Sequence, residues 1–138
     1  MKRLIIAIFM LCLSAGGASS GLAAADKIEW HTYQSGTARS GLEKKKVFLH
    51  FYADWCSYCA EMERKTFQNP AVIAMLNRNF IPIRVDSDRE KEIAALFRVK
   101  GLPDSWFLAE NGDIIGHRPG FIPAEQLLAI LNVVMGGK

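Results

Sequence analysis

The spacing of apolar residues changes along the chain, and each change marks an element. Val47-Phe48-Leu49-His50-Phe51-Tyr52-Ala53 is almost unbroken in apolar residues and rich in strand formers, the pattern of a central strand covered on both faces. From Cys56 to Phe67 the period becomes helical, with Cys59, Met62, Glu63 and Thr66 falling on one face. Asn69-Pro70 reads as an N-cap followed by proline at the first helical position. The helix it opens carries Val72, Ile73, Met75 and Leu76, and Phe80 to Val85 forms the next strand. Ser87 and Glu90 have capping-box spacing for a helix containing Ile93, Leu96 and Phe97. Trp106 to Ala109 and Ile114 to His117 flank Asn111-Gly112, a strong hairpin signal. Pro123 starts a last helix with an apolar stripe of Leu127, Leu128, Leu131 and Val134.

Ahead of these elements, Asp26 to Lys46 is polar, with Ile28 and Trp30 as anchors. A short strand near Ile28 and a short helix before Lys44 are expected there. The run Glu43-Lys44-Lys45-Lys46 reads as a solvated turn before a buried strand. The coarse order is strand, helix, strand, helix, strand, strand, helix, without an internal repeat or a linker. It predicts an α/β domain: a central mixed sheet with helices on both faces.

The first residues carry an address rather than a fold. Met1-Lys2-Arg3 gives a positive start, Leu4 to Leu13 an apolar run, and Ala23-Ala24-Ala25 a small-residue cleavage pattern before Asp26, the layout of a secretory signal peptide. The apolar run falls well short of the roughly 20 residues a membrane-crossing helix needs. Residues 1–25 are therefore expected to be removed and 26–138 to form one domain in the periplasm or another exported compartment. The 138 residues carry 17 Lys and Arg against 14 Asp and Glu, a formal net charge of +3. That excess is too small and too scattered to argue for nucleic acid, and losing Lys2 and Arg3 brings the chain closer to neutrality. A monomer is expected.

Cleavage also removes Cys12, leaving Cys56 and Cys59 in an oxidising compartment where thiols pair. Cys56-Ser57-Tyr58-Cys59 follows a buried strand and opens a helix. Cys56 then sits where unpaired backbone N–H groups and the helix dipole favour negative charge. A thiol so placed ionises more easily, and the thiolate is the attacking species. The sulfur is expected to be electron-rich and open to solvent, with Cys59 near enough to resolve a mixed disulfide formed by Cys56. Other readings of the pair fare worse. Haem attachment needs His where Ala60 stands. A zinc site needs four ligands, and His31, His50 and His117 show no converging spacing. A structural disulfide closing so small a loop stabilises little. Asp86-Ser87-Asp88 has the look of a calcium loop, but Lys91 sits where such a loop needs glycine. No metal and no cofactor beyond a redox-active Cys56–Cys59 disulfide is expected.

Phe51-Tyr52-Ala53-Asp54-Trp55-Cys56-x-x-Cys59 resembles the active-site stretch of the thioredoxin superfamily, and Gly101-Leu102-Pro103 resembles that fold's cis-proline loop. More narrowly, Val47 to about Leu131 is similar to the C-terminal thioredoxin-like domain of the bacterial transmembrane thiol:disulfide interchange reductases. Tyr52 to Cys56, Thr66-Phe67, Pro70-x-Val72 and Gly101-Leu102-Pro103 recur there in the same order. The resemblance implies a thioredoxin-like fold, Cys56 as attacking thiol and Cys59 as resolving thiol. It also implies a cis Leu102–Pro103 bond packed on the sulfurs, with the adjacent backbone holding a substrate chain.

Several positions depart from the family pattern or extend it. His50 stands six residues before the first cysteine, where relatives carry an acid; a buried histidine there is suited to exchange a proton near pH 7 and is expected to help move the Cys59 proton, the alternative being a hydrogen-bonded core histidine. Glu63, four residues after Cys59, matches an acid of the related domain and is expected to tune Cys59 and relay its proton, the alternative being a surface carboxylate paired with Arg or Lys. Asp104 follows the proline where a neutral residue is usual; facing Cys56 it disfavours the thiolate, facing solvent it does nothing. Tyr58 is a candidate partner contact, Trp55 and Asp54 shape the site, and His31 and His117 read as ordinary surface residues. The function expected is an exported thiol:disulfide oxidoreductase working on protein disulfides or thiols in the reducing direction, with a membrane thiol reductase as electron donor. The rival is a non-catalytic chaperone holding copper or another soft metal between the same two sulfurs.

Overall fold

A computed structural model describes residues 25–136. The signal-peptide reading falls on residues that lie, apart from Ala25, outside this range. The elements are α1 (Tyr33–Glu43), β1 (Lys46–Tyr52), α2 (Ser57–Lys65), α3 (Pro70–Asn79), β2 (Phe80–Asp86), α4 (Lys91–Leu96), β3 (Asp104–Leu108), β4 (Ile114–Pro119) and α5 (Ala124–Val134). Four strands form one sheet in the order β2-β1-β3-β4. β1 runs parallel to β2 and antiparallel to β3, and β3 pairs antiparallel with β4. The sheet is mixed, as the sequence pattern predicts.

β1 is buried on both faces, and its alternation divides the core. Phe48 packs with Met62, Phe67, Val72, Leu76, Leu127 and Leu131, which places α2, α3 and α5 on one side. Val47, Leu49 and Phe51 join Ile83, Val85, Phe97 and Trp106 on the other, with Tyr33 of α1 and Ile93 of α4 against them. β2 contains Pro82, and as an edge strand it tolerates the missing donor; the Pro82 carbonyl accepts from the His31 N–H at 2.9 Å.

Caps follow the sequence in places. The Asn69 side chain accepts from the N–H groups of Ala71 and Val72 at 2.9 and 3.3 Å, with Pro70 at the first turn. Gly112 takes φ +90° at the hairpin, a conformation an L side chain resists. Three local expectations are corrected. No strand forms at Ile28: the backbone there makes one isolated bridge, His31 to Ile83. The short helix before Lys44 is a full α1, capped by Thr32, whose hydroxyl accepts from Ser35 N–H at 3.2 Å. The Ser87 capping box is absent, because the Asp86 carboxylate takes the N–H groups of Asp88 and Arg89 at 3.0 and 3.3 Å instead, so α4 begins without a side-chain cap.

α1 reaches the sheet through small residues, its buried positions being Gly36 and Ser40. A Cβ on Gly36 would collide with the Ile83 side chain and lie 3.2 Å from His31 Cβ. In an exposed helix, Gly to Ala stabilises by about 1 kcal/mol; overpacking costs about 1–3 kcal/mol. Gly36→Ala is therefore expected to lower the urea unfolding midpoint. A midpoint at or above wild type would show that Ile83 gives way.

Candidate active site

β1 ends at Tyr52, and the chain turns through Ala53-Asp54-Trp55 into α2, whose N-cap is Cys56. The Cys56 N–H donates to the Ala53 carbonyl at 3.2 Å, and the Cys56 carbonyl accepts from Ala60 N–H at 3.1 Å. The Cys56 sulfur does what a serine hydroxyl does at such a position: it accepts from the Cys59 N–H at 3.2 Å. Backbone amides at a helix start carry partial positive charge, so the geometry favours a thiolate at this sulfur. Cys56 and Cys59 are joined in a disulfide, with Cα atoms 5.2 Å apart. At the far end of α2, the Thr66 hydroxyl donates to the Ile122 carbonyl at 2.6 Å and ties the helix to the chain before α5.

The sulfurs are less open than the sequence suggests. Cys56 is 5% exposed and Cys59 6%, packed with Ala53 and flanked by Tyr52 and Leu102. The expectation of a freely accessible Cys56 is corrected to a narrow window, because the cap that charges the sulfur also draws it into the turn. Two large rings next to the cysteines in sequence are exposed, Trp55 at 72% and Tyr58 at 62%. Trp55 is held by its indole N–H, which donates to Asp88 at 2.8 Å. The Leu102–Pro103 bond is cis and Pro103 is buried; its carbonyl accepts from Gly120 N–H at 2.7 Å. Beside the disulfide lies a cavity of about 220 Å³ bounded by Tyr52, Asp54, Ala60, Glu63 and Arg84.

His50 does not border this cavity. Its ring sits among Trp30, Phe48 and Phe67 and meets the Ser105 hydroxyl at 3.3 Å. Complete burial, with a smaller contribution from the Arg84 charge, pushes its pKa down to about 3. The expectation of proton exchange near pH 7 is corrected accordingly: the ring is neutral there. Asp104 is also placed otherwise than the two orientations anticipated. It is 3% exposed, yet its carboxylate meets His117 Nδ1 at 3.2 Å rather than a sulfur. The pair lies at a separate cavity of about 430 Å³. His117 is exposed as expected, but it also stacks on Trp106 with ring centroids 4.2 Å apart.

Glu63 borders the cavity, and its partly exposed carboxylate lies 3.6 Å from Arg84 Nη2, the pairing with an arginine that the sequence left as the alternative. Arg84 is the residue that the sequence reading missed. A single charge inside the otherwise apolar Phe80-Ile81-Pro82-Ile83-Arg84-Val85 was the available signal, since an unpaired charge does not belong in a buried strand. Among the described residues, no group of three or more His, Cys, Asp or Glu gathers as a metal site, and no helix is long and apolar enough to cross a membrane.

Comparison with known proteins agrees with this geometry. The family model described as a thioredoxin-like domain matches residues 33–134. A thiol:disulfide interchange protein DsbD of Haemophilus ducreyi is 40% identical over 93 residues, 64% of this chain but 16% of that protein. A thioredoxin of Mycoplasmoides gallisepticum is 30% identical over 88 residues, covering 64% of this chain and 83% of the relative. Among solved structures, the DsbH oxidoreductase superposes with a TM-score of 0.72 at 18% identity, over 86% of this chain and 92% of the other. A thioredoxin from Thermus thermophilus gives 0.72 at 25% identity, over 79% and 88%. The fold that carries this paired sulfur is thus shared with these structures, and the chain belongs to the thioredoxin-like domain family.

Proposed function

We propose that this chain is an exported reductase of protein disulfides, with the Cys59 N–H bond to Cys56 Sγ at 3.2 Å as the observation that carries the reading. In the reduced protein the same amide and the dipole of α2 stabilise a Cys56 thiolate. The thiolate attacks a substrate disulfide: a Cys56–substrate bond forms and the substrate's other sulfur leaves. Cys59 then attacks Cys56, closing the internal disulfide and releasing the second substrate sulfur. The substrate chain lies along the backbone at Leu102 and Pro103, against Tyr58 and Trp55. Glu63 takes up the Cys59 proton and Asp54 shapes the cavity mouth. Asp104, engaged with His117, supports the loop from behind rather than touching substrate. His50 supports the site as a neutral, packed ring.

The signal-peptide layout of residues 1–25 supports export to the periplasm or a similar compartment. Turnover there requires an electron donor. The DsbD relatives support a membrane thiol reductase in that role, although the aligned region spans only 16% of the Haemophilus protein. A monomer suffices, since both sulfurs come from one chain.

Two outcomes check this reading. Wild type is expected to reduce insulin with dithiothreitol as donor, Cys56→Ser to lose at least a hundredfold of that rate, and Cys59→Ser to accumulate a mixed disulfide. Stoichiometric copper binding without turnover would replace the enzyme with a metal chaperone. The second outcome concerns His50. Its folded pKa, about 3 against an ordinary 6.5, means that the unfolded chain takes a proton that the folded one refuses between those values. Stability is then fully present above about pH 6.5 and falls by about 1.4 kcal/mol per unit toward pH 3. His50→Phe is expected to flatten that limb of a urea-midpoint profile; an unchanged slope would mean that His50 is protonated in the fold.

A further inference from the structure

Arg84 stands on β2 directly across from His50 of β1. Its guanidinium carbon lies 4.1 Å from the Tyr52 ring centroid and 5.8 Å from that of Trp30. The Nε is buried without a hydrogen-bond partner, so the group is held by ring faces and charge rather than by a network. Stacking of this kind suits a planar guanidinium and not an ammonium. From that fixed position Nη2 reaches Glu63 Oε2 at 3.6 Å, and both side chains wall the cavity that Cys56 and Cys59 also border.

The remaining groups on that cavity narrow what the pair does. Asp54 enters from the loop before α2 and Tyr52 from the end of β1, while His50, behind the cavity, is neutral above about pH 3. A lone carboxylate beside a sulfur that is about to become a thiolate would resist that charge. A cation on the same wall offsets the repulsion. We propose that Arg84 is a positioning residue for the resolving step: it clamps Glu63 against the cavity beside Cys59, so that this carboxylate receives the Cys59 proton. The inference rests on the reading of Cys59 as resolving thiol.

The step balances without an outside oxidant. Starting from the Cys56–substrate disulfide, the Cys59 proton passes to Glu63 and the Cys59 sulfur bonds to Cys56. The Cys56–substrate bond breaks, and the departing sulfur takes the electron pair and then a proton from water. Glu63 returns its proton to solvent through the cavity.

Mixing reduced protein with dithiobis-nitrobenzoate in a stopped-flow cell separates capture by Cys56 from resolution by Cys59, each releasing one coloured thiolate. Removing the cation from the wall it shares with the sulfurs is expected to slow the second phase of Arg84→Gln at pH 7 and to move its pH midpoint upward. Arg84→Lys, which keeps the charge and loses the stack, recovers part of the rate. Glu63→Gln shows the same loss, and the double variant is no slower than Glu63→Gln alone. A pH midpoint in Arg84→Gln equal to wild type, or losses that multiply in the double variant, would overturn the inference. Because the midpoint is independent of the folded fraction, a merely destabilised variant does not mimic the result. Release of one thiolate by the lone Cys59 of Cys56→Ser as fast as the wild-type first phase would instead overturn the parent reading.

Discussion

The amide of Cys59 donates to the sulfur of Cys56 at 3.2 Å, and the chemistry of the site depends on that contact staying where it is. A helix start leaves its first N–H groups without intrahelical partners; here a sulfur occupies the place an oxygen usually takes. Its position is fixed from both ends of α2. Ala53 holds the Cys56 amide at the start, while Met62 is fully buried and Thr66 is bonded to Ile122 at the end. The core therefore aims the dipole, and the dipole determines where negative charge is stable. A looser helix would keep both sulfurs but lose the electrostatic asymmetry between them.

That asymmetry comes with cover. A sulfur drawn into the cap has little surface left, and Leu102 beside the cis proline narrows it further. Access is consequently narrow, past Tyr52 and Leu102, with the exposed rings of Trp55 and Tyr58 on the same segment of chain.

Much of this was legible in the sequence because the deciding signals were local. The apolar run Val47 to Ala53, the Asn69-Pro70 start and the Asn111-Gly112 turn each encode their element within a few residues, and all three are found. Cys56 as a helix cap followed from the same kind of reading. What escaped depends on partners far away in the chain. α1 buries Gly36 and Ser40 rather than an apolar stripe, so periodicity understated it. Asp104 was weighed against Cys56 and solvent, but its partner is His117 from the neighbouring strand. Ser87 lost its capping role to a competing carboxylate one residue earlier.

The exchange of charge between strand and helix is the least local feature of all. A carboxylate at position 50 would lie buried opposite Arg84, and a buried ion pair recovers its desolvation cost only with good geometry. With His50 there instead, the two strands bring no opposite charge together, and burial beside a guanidinium keeps the imidazole neutral. The cation then has no partner on β1 and its Nε stays unbonded. It leans outward over Tyr52 and meets Glu63 at the rim of the cavity. Of the two acids that the family resemblance implies, the one on β1 is replaced by His50, while the one on α2, Glu63, stays at the cavity. A proton held in the core must wait for the protein to open; one held at that rim is already in contact with water. On the proposed reading Glu63 at the rim is the exit for the proton, and the arginine offsets its charge beside the thiolate.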